Sequence, residues 1–515
     1  MTVTSNPNTI SALVDSFATA APAELEASYR RLVGAVWHDG HLTTLAAPAV
    51  SELVPRVSQV DDLRKAYLAE LFGLLVQAEY PDTDGPVATV VRTGMDQYLD
   101  LWTGSSREQP THWALLYLLS HFPPDRDRIL AAAATVDLDV DDMSRLDRAV
   151  DTLDPDKPVI GRVFPYPAAY DEMFESEKEV DRAWIRTLTP EQVVAQWHAD
   201  IEAVRGHAGA KAYYAIRYGK PEPVYPDSIP SREARPPDAD DVAIFAPHTY
   251  ALRCPRCQGK LKIQQGLAEC ASGRDPGFPI ANGMLNVLTT IHDGKDHDAD
   301  FLFQLSNIGT MPYFIDVYAR PAFKRLCGLN WSNEVSPQWE GNYIKEHVRP
   351  VDGTVLDLAA GGGLWTDTLA NAVGMDRVLA LDILPGSLAT LRDRRPDVPA
   401  VVANARYLPF DDSSLGAVIC WDALQAFPEE APFAIAEVGR CLRPGGTFTL
   451  FTFVYSDDEI YRHFVRAHRF PKIHKDGLVL FHRADLDRWL ADAGLTVVDR
   501  TGPHLHYVIT ARKEG

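Results

Sequence analysis

Residues 355–365 read Val-Leu-Asp-Leu-Ala-Ala-Gly-Gly-Gly-Leu-Trp, and residues 378–382 read Val-Leu-Ala-Leu-Asp. The apolar run 355–359 predicts a short buried strand, the small residues 360–363 predict a turn, and the following periodicity predicts a helix from about 364 to 373. A second apolar run ends at Asp382, 19 residues after Gly363. This order predicts a β-turn-α-β unit whose glycines let a ligand approach the backbone at a helix N-terminus. The acid that ends the second strand is placed to accept the two hydroxyls of a ribose.

The acid inside the first strand separates two ligand classes. A carboxylate at Asp357 would repel a pyrophosphate, whereas it suits a ligand that carries an amino group, as S-adenosylmethionine does. The stretch resembles motif I of the class I S-adenosylmethionine-dependent methyltransferases, usually D-x-G-x-G-x-G, with Ala359 in place of the first glycine. An ordinary strand-to-helix turn is the alternative for this segment taken alone.

The downstream segments extend the resemblance. The run 398–405 predicts a third strand ending Ala403-Asn404-Ala405, Leu-Pro-Phe-Asp-Asp follows at 408–412, and 415–421 predicts a fourth strand. These are similar to the third and fourth motifs of the family, in which an acid and the next backbone N–H contact adenine; Asn404 stands at the acid position, and its amide oxygen can still accept a hydrogen bond. The resemblance implies this set of cofactor-contacting residues: Asp357, Ala359, Gly361, Gly363, Asp382, Ile383, Asn404, Ala405 and Trp421.

The end of the chain completes the pattern. An acidic helix over 429–442 leads to Arg-Pro-Gly-Gly at 443–446 and a strand over 447–453, and a helix over 483–494 precedes strands over 495–500 and 504–512. The resemblance implies an α/β fold for 351–515, namely a Rossmann-like seven-stranded class I methyltransferase domain that uses S-adenosyl-L-methionine.

The net charge, the apolar stretches and the number of cysteines limit the classes of protein to which this chain can belong. The chain has 515 residues and a net charge of −21, of which residues 351–515 contribute −5 and the first 350 residues −16. This acidity disfavours non-specific binding to nucleic acid and to anionic membranes. We find no apolar stretch of membrane-spanning length and no signal peptide, and six cysteines do not form a disulfide framework. We therefore expect a cytoplasmic protein with no membrane partner.

The first 218 residues predict an all-helical domain. Apolar positions recur at helical spacing over 24–37, 42–54, 60–78, 86–101, 109–119, 124–136 and 141–153, and a long helix is expected over 190–217. Paired helices of this length resemble HEAT-like repeats, and an irregular bundle is the alternative. Residues 219–248, with seven prolines, predict an extended linker. The helical domain is a candidate surface for a protein partner or a homo-oligomer.

Three cysteines mark a small β module over 249–288. Cys254 and Cys257 form a Cys-x-x-Cys knuckle, and Cys270 follows a predicted hairpin over 260–268. The segment resembles the zinc-ribbon module of some rRNA guanine methyltransferases, which implies a zinc ion held by these three thiolates. Gly273 occupies the position expected for a fourth cysteine, so Asp275 or a distant histidine would have to complete the site. The alternative is a module that keeps the fold without a metal.

Residues 289–350 predict a helical lid over the cofactor, with helices over about 301–326 and 336–348. Aromatic and basic side chains that could line this lid are Tyr313, Tyr318, Arg320, Trp339 and Tyr343. Packing of the helices on the sheet is the alternative role for these side chains.

Candidate catalytic residues come from two places. Asp422 follows the fourth strand, at the carboxyl edge where ligands bind in such folds, and is either a base or a helix N-cap. Six of the 16 histidines fall between 455 and 506, and from these we select His463 and His474 as candidate bases.

The sequence thus predicts a methyltransferase that transfers a methyl group in line to O, N or C of a small molecule, of the kind made in secondary-metabolite biosynthesis. Two alternatives remain open: an RNA methyltransferase of guanine type, suggested by the cysteine module, and a non-catalytic scaffold, suggested by Ala359 and Asn404.

Overall fold

The computed structural model describes residues 7–161, 166–223, 242–273, 277–288, 308, 310–468 and 478–515. The described residues divide into two compact units. The first contains the residues before 224 together with 456–468 and 478, and the second contains 242–455 and 479–515. The chain therefore leaves the second unit after residue 455 to contribute a segment to the first.

The described part of the first unit is helical apart from a short hairpin of two two-residue strands, β1 (Trp37–His38) and β2 (His41–Leu42). The α-helices described in this unit are Pro7–Thr19, Leu25–Val36, Ala46–Leu53, Asp62–Gln77, Pro86–Arg92, Met95–Thr103, Pro110–Leu119, Arg126–Ala133, Val140–Ala149, Pro167–Glu172, Glu175–Ile185, Pro190–Arg217 and Glu459–Ala467. Most of the predicted helices are present with shorter ends. The HEAT-like arrangement stays a prediction.

The longest helix, Pro190–Arg217, shows why the local sequence folds as it does. The side chain of Thr189 accepts a hydrogen bond from the backbone N–H of Gln192, and the side-chain oxygen of Gln192 accepts one from the backbone N–H of Thr189. Pro190 occupies the first turn. This capping box fixes the helix start, as the sequence predicted.

One predicted helix is wrong in its extent. The expected single helix over 86–101 is two helices, Pro86–Arg92 and Met95–Thr103, separated at Gly94. A Cβ at Gly94 would lie 2.5 Å from the ring of Tyr98, so the chain bends at a residue without a side chain. Glycine also has a low helix propensity, which favours the break.

The second unit is built on one mixed sheet. Its strands are β3 (Leu261–Gln264), β4 (Leu267–Cys270), β5 (Phe278–Ala281), β6 (Met284–Asn286), β7 (Thr354–Leu358), β8 (Val378–Asp382), β9 (Ala400–Val402), β10 (Leu415–Trp421), β11 (Leu442–Phe453), β12 (Leu495–Thr501) and β13 (His506–Lys513). Their order in the sheet is β12-β13-β11-β10-β7-β8-β9-β6-β5-β4-β3. The strands β6 to β11 pair in parallel, whereas β12–β13, β13–β11 and the strands from β3 to β6 pair antiparallel.

The cysteine-bearing strands share the core of the larger sheet. Strand β6 pairs with β9, so the segment 249–288 continues the sheet. One apolar cluster joins Leu252 and Phe278 of this segment to Leu356 and Phe410. The last part of the expected linker also packs in this unit, as a 3₁₀ turn over Ala243–His248 with Phe245 fully buried.

Helices cover the parallel part of the sheet. Those described are Met311–Phe314, Arg320–Gly328, Pro337–His347, Thr366–Val373, Pro385–Arg394, Ala431–Cys441 and Arg483–Asp492. A π-helical turn, Ile315–Ala319, joins the first two. In neither unit do the described residues include a helix of the length and apolar character needed to cross a membrane.

Candidate functional site

The glycine-rich turn lies between two neighbouring parallel strands. Strands β7 and β8 pair with Leu358 opposite Leu381, and the N–H of Ala360 donates to the carbonyl oxygen of Leu381 (3.1 Å). Ala359 and Gly361 have φ values of +58° and +55°, in the left-handed region. An added Cβ on Gly361 would meet no atom within 4 Å, so this point of the turn faces open space at the carboxyl edge of the sheet.

Asp382 is held against this turn. Its Oδ2 accepts a hydrogen bond from the N–H of Gly361 (2.9 Å), and its Oδ1 accepts one from the N–H of Leu384 (2.9 Å). The side chain is buried, and this burial raises the pKa of Asp382 despite both bonds. The structure therefore keeps a desolvated carboxylate beside the turn.

Asp357 carries a second buried carboxylate, close to that of Asp382. Thr366 donates its hydroxyl to Oδ2 of Asp357 (2.7 Å) from the first turn of the following helix. Burial raises the pKa of Asp357 to about 6, and the charge of Asp382 contributes to the rise. Two like charges placed together in a buried site are costly unless a ligand compensates them.

The remaining predicted contacts lie at the same edge. Ile383 follows Asp382 directly, and Asn404 and Ala405 follow β9, which pairs with β8. The amide oxygen of Asn404 accepts a bond from the N–H of Arg406 (2.9 Å), so it already anchors its own turn. Trp421 ends β10 and donates from its indole nitrogen to Oε2 of Glu340 (2.8 Å).

Asp422 follows Trp421 with a left-handed φ of +52°, an uncommon conformation for aspartate. It does not cap an α-helix; its Oδ1 instead accepts a bond from Nε2 of Gln425 (2.8 Å). The guanidinium of Arg320 lies 3.7 Å from its Oδ2. Burial raises the pKa of Asp422 to about 6, although Arg320 and Lys324 act in the opposite direction.

The segment Met311–Ala319, which leads into the helix that carries Arg320, packs against the turn. A Cβ on Gly362 would lie 3.2 Å from Pro312, and Arg394 joins Gly362 to Asp316, donating to the carbonyl oxygen of Gly362 (3.1 Å) and to Oδ2 of Asp316 (3.3 Å). The π-helical turn lies in this segment, and such turns often occur at functional sites.

Residues 355–446 match a family model described as a methyltransferase domain. The chain carries an S-adenosylmethionine-dependent methyltransferase domain. An uncharacterized chloroplastic methyltransferase of Arabidopsis thaliana is 28% identical over 226 residues, which cover 40% of this chain and 62% of that protein. The malonyl-[acyl-carrier protein] O-methyltransferase of Methylococcus capsulatus is 38% identical over 110 residues, which cover 21% of this chain and 40% of that protein.

The chain thus spans between 40% and 62% of the length of these two curated relatives. Among solved structures, the geranyl diphosphate C-methyltransferase of Streptomyces coelicolor, in complex with Mg²⁺, geranyl diphosphate and S-adenosyl-L-homocysteine, aligns with a TM-score of 0.29 and 16% identity. That alignment covers 34% of this chain and 78% of that structure.

Of the two candidate histidines, the structure describes only His463. His463 lies on the helix Glu459–Ala467 of the helical unit, with its ring 5.2 Å from that of Trp37 in an edge-on contact. Burial lowers the pKa of His463 to about 4. His474 lies outside the described residues, and a catalytic role for either histidine stays a prediction.

The three predicted metal ligands converge. The Sγ atoms of Cys254, Cys257 and Cys270 all lie within 4.8 Å of one another. Ser272 adds a hydroxyl 3.2 Å from Sγ of Cys257 and 3.0 Å from Sγ of Cys270. This hydroxyl, with the Gly259 backbone and the Cys270 thiol, lowers the pKa of the Cys257 thiol to about 7. Asp275 lies outside the described residues.

Sequence reasoning missed several polar residues around Asp422. Gln425 donates to its carboxylate, Thr452 donates to Gln425, and Lys324 pairs with Glu340. These are single polar positions in apolar segments, and no spacing links them in the sequence. Only the pairing of β10 with β11 brings Thr452 to the same edge as Asp422.

Proposed function

We propose that this protein transfers a methyl group in line from S-adenosyl-L-methionine to a small-molecule acceptor. The observation that carries the proposal is the pair of buried carboxylates, Asp357 and Asp382, that flank the glycine-rich turn inside the matched methyltransferase domain. The whole activity, the substrate and the partners are part of this proposal.

The residues at the edge fit the cofactor. Gly361 leaves open space at the turn, Asp382 can accept bonds from ribose hydroxyls, and Asp357 supplies a negative charge for the ammonium group. The set proposed to hold the cofactor is Asp357, Ala359, Gly361, Gly363, Asp382, Ile383, Asn404, Ala405 and Trp421. Bound S-adenosylmethionine supplies a methyl group on a positively charged sulfur, so the chain must orient the acceptor and exclude water.

Asp422 is the residue that we propose as base for the acceptor. Its carboxylate is buried at the carboxyl end of β10, and its raised pKa of about 6 suits proton transfer near neutral pH.

Aromatic side chains pack around Trp421, the residue that precedes Asp422. The ring of Trp421 lies 5.8 Å from Tyr343, 6.3 Å from Trp365 and 5.2 Å from Phe451. An apolar enclosure of this kind suits a small acceptor. The malonyl group named for the Methylococcus capsulatus relative supports this size class. An RNA acceptor rests only on the resemblance of the cysteine module, and the acidity of the first 350 residues disfavours it.

The domain division and location are proposals as well. We assign 1–218 to a helical, HEAT-like domain for a partner or a second copy, 219–248 to a linker whose last residues, 243–248, pack in the second unit, and 249–288 to the cysteine module. We assign 289–350 to a lid and 351–515 to the methyltransferase domain of a cytoplasmic protein, with 456–468 contributed to the helical unit.

The cysteine cluster is proposed to hold one zinc ion through Cys254, Cys257 and Cys270. Three thiolates within 4.8 Å supply three of the four ligands of a tetrahedral site. We expect about one zinc per chain by elemental analysis, lost in Cys257→Ser and kept in Cys327→Ala, whose thiol lies outside the cluster. Protein purified without zinc that also fails to take it up would contradict this assignment.

Methyl uptake tests the proposed activity. The protein is incubated with deuteromethyl-labelled S-adenosylmethionine and, separately, with a small-metabolite extract and total RNA from the source cells. We expect label in the metabolite extract, none in Asp382→Ala, and undiminished transfer in Asp393→Ala, which changes an exposed acid. Label confined to RNA would support the alternative acceptor, and no label in either would contradict the activity.

A further inference from the structure

The carboxylate of Asp422 is fixed by a chain of side-chain hydrogen bonds. The hydroxyl of Thr452 donates to Oε1 of Gln425 (2.9 Å), and Nε2 of Gln425 donates to Oδ1 of Asp422 (2.8 Å). All three side chains are buried, and they come from two neighbouring parallel strands and the turn after β10. The chain of bonds orients one carboxylate oxygen and leaves the other available.

The second carboxylate oxygen of Asp422, Oδ2, lacks a hydrogen-bond donor in the described part of the chain. Among the described residues, Oδ2 of Asp422 is buried and has no hydrogen-bond donor, and Nε of Arg320 is buried and has no acceptor. A different guanidinium nitrogen, Nη1 of Arg320, lies 3.7 Å from Oδ2 of Asp422, which is an ionic contact beyond hydrogen-bond length. Buried polar atoms are nearly always hydrogen-bonded, so a buried carboxylate oxygen without a donor, with a guanidinium 3.7 Å away, marks a place for a ligand group that bridges the two.

Lys324 and Asp316, the nearest of the other charged groups, already have partners, whereas Asp357 and Asp382, which also interact with Arg320, belong to the proposed cofactor site. Lys324 forms an ion pair with Glu340, which also accepts the indole N–H of Trp421. Asp316 lies 3.9 Å from Nε of Arg320 and pairs with Arg394. Asp422 and the guanidinium end of Arg320 therefore remain as the groups that face the ligand.

We propose that the acceptor presents a phenolic or enolic hydroxyl, which donates to Asp422 and accepts from Arg320, and that Gln425 and Thr452 position Asp422. This inference rests on the proposed function and names the methylated atom as oxygen. Neither Arg320, Gln425 nor Thr452 is needed for the cofactor assignment above.

The charges favour oxygen over nitrogen. A hydroxyl that loses its proton gains negative charge, which the guanidinium of Arg320 stabilises. An amine acceptor is cationic before deprotonation or becomes so after attack, and the same guanidinium would repel it. The rings of Trp421, Tyr343 and Trp365 suit the flat skeleton of a phenol or enol.

The proposed step is balanced within these groups. The acceptor O–H bond breaks and its proton passes to Oδ2 of Asp422, while the oxygen electron pair forms a bond to the methyl carbon. The bond from that carbon to sulfur breaks, and its electron pair remains on sulfur. Asp422 returns the proton to water after the product leaves.

A pair of matched probes tests the inference without turnover. Protein saturated with S-adenosylhomocysteine is titrated calorimetrically at pH 7.5 with 4-methylphenol and with 4-methylaniline, which are both uncharged at that pH and differ only in OH and NH₂. We expect the phenol to bind at least about tenfold more tightly in the wild type and the preference to vanish in Arg320→Gln. Thr452→Val is expected to reduce the ratio and Thr452→Ser, which keeps the hydroxyl, to retain it, whereas a merely structural role would change stability and leave the ratio unchanged.

The other outcomes of these titrations contradict either the inference or the proposed function. Equal binding of the two probes, preference for the aniline, binding of neither, or a preference that survives in Arg320→Gln would overturn the inference and leave the proposed function standing. A protein that does not bind S-adenosylhomocysteine at all would overturn the proposed function, and the inference with it.

Discussion

The raised pKa of the buried carboxylate of Asp357 couples ligand binding at the site to pH. This carboxylate is buried in β7, bonded to Thr366 and close to Asp382, and its pKa is raised to about 6. An acid with a raised pKa is neutral over a wider range of pH than usual, so a cationic ligand group gains its partner only above that pKa.

We expect affinity for S-adenosylhomocysteine to fall as the pH is lowered through 6. If only the charged form of Asp357 binds the ammonium group, a pH one unit below the pKa weakens binding about tenfold. Calorimetric titrations at pH 7.5, 6 and 5 measure this change. Asp357→Asn should bind weakly at each pH with little variation, and a wild-type affinity that stays constant would contradict the proposed role.

The residues of the turn were predictable because their spacing in the sequence is local. The strand, the glycines and the acid at 382 lie within one β-turn-α-β unit, and periodicity and motif identify them. Arg320, Gln425 and Thr452 were not assigned this role because their meeting at Asp422 depends on strand pairing and helix packing over long sequence separations.

At the scale of elements, the helix Glu459–Ala467 is the clearest difference from expectation. The sequence analysis assigned all of 351–515 to one α/β domain, whereas this helix packs within the helical unit against Pro190–Arg217. Gly206 and Gly209 make this approach possible, since a Cβ on Gly206 would lie 2.8 Å from Ala467 and one on Gly209 would lie 2.4 Å from the ring of Phe464.

Two glycine-to-alanine variants separate packing from helix propensity. Gly34 and Gly209 both lie inside helices, and alanine is intrinsically favoured there by about 0.5–1 kcal/mol. A Cβ on Gly34 meets nothing within 4 Å, so Gly34→Ala should raise the Tm. Gly209→Ala should lower the Tm and reduce the free energy of unfolding by about 1–3 kcal/mol, because the ring of Phe464 must move. Thermal unfolding followed by circular dichroism compares them, and equal stabilisation by both would contradict the packing.

At the scale of the molecule, the helical unit buries several histidines. Burial lowers the pKa of His112 and His463 to about 4, that of His468 to about 3, and that of His121 well below its ordinary value. The sequence showed the clustering of histidines but not their burial, because His463 and His468 come from a segment that joins this unit from residue 456 onward.

We expect stability to fall as the pH is lowered from about 6.5 towards 4. In that window the unfolded chain binds protons that the folded histidines do not, so protonation favours unfolding. Burial raises the pKa of Asp142 to about 7, that of Asp357 and Asp422 to about 6, and that of Asp382, and these four acids act in the opposite direction. They are outnumbered by the histidines, since burial also lowers the pKa of His248 and His506 in the second unit to about 4.

The variant His463→Phe identifies the source of this dependence. It keeps a ring against Trp37 and removes one titrating group, so the drop in Tm between pH 7.5 and 5 should become smaller. A drop as large as in the wild type would show that His463 does not contribute.

Binding of the cofactor product tests the central claim most directly. S-adenosylhomocysteine is titrated calorimetrically into the wild type, Asp382→Ala and the exposed control Asp393→Ala. We predict one site per chain in the wild type and the control, and binding weaker by about tenfold or more in Asp382→Ala, because charge-assisted hydrogen bonds contribute about 1.5–3 kcal/mol. No binding to the wild type, or equal binding to Asp382→Ala, would contradict the assignment of this edge as the cofactor site.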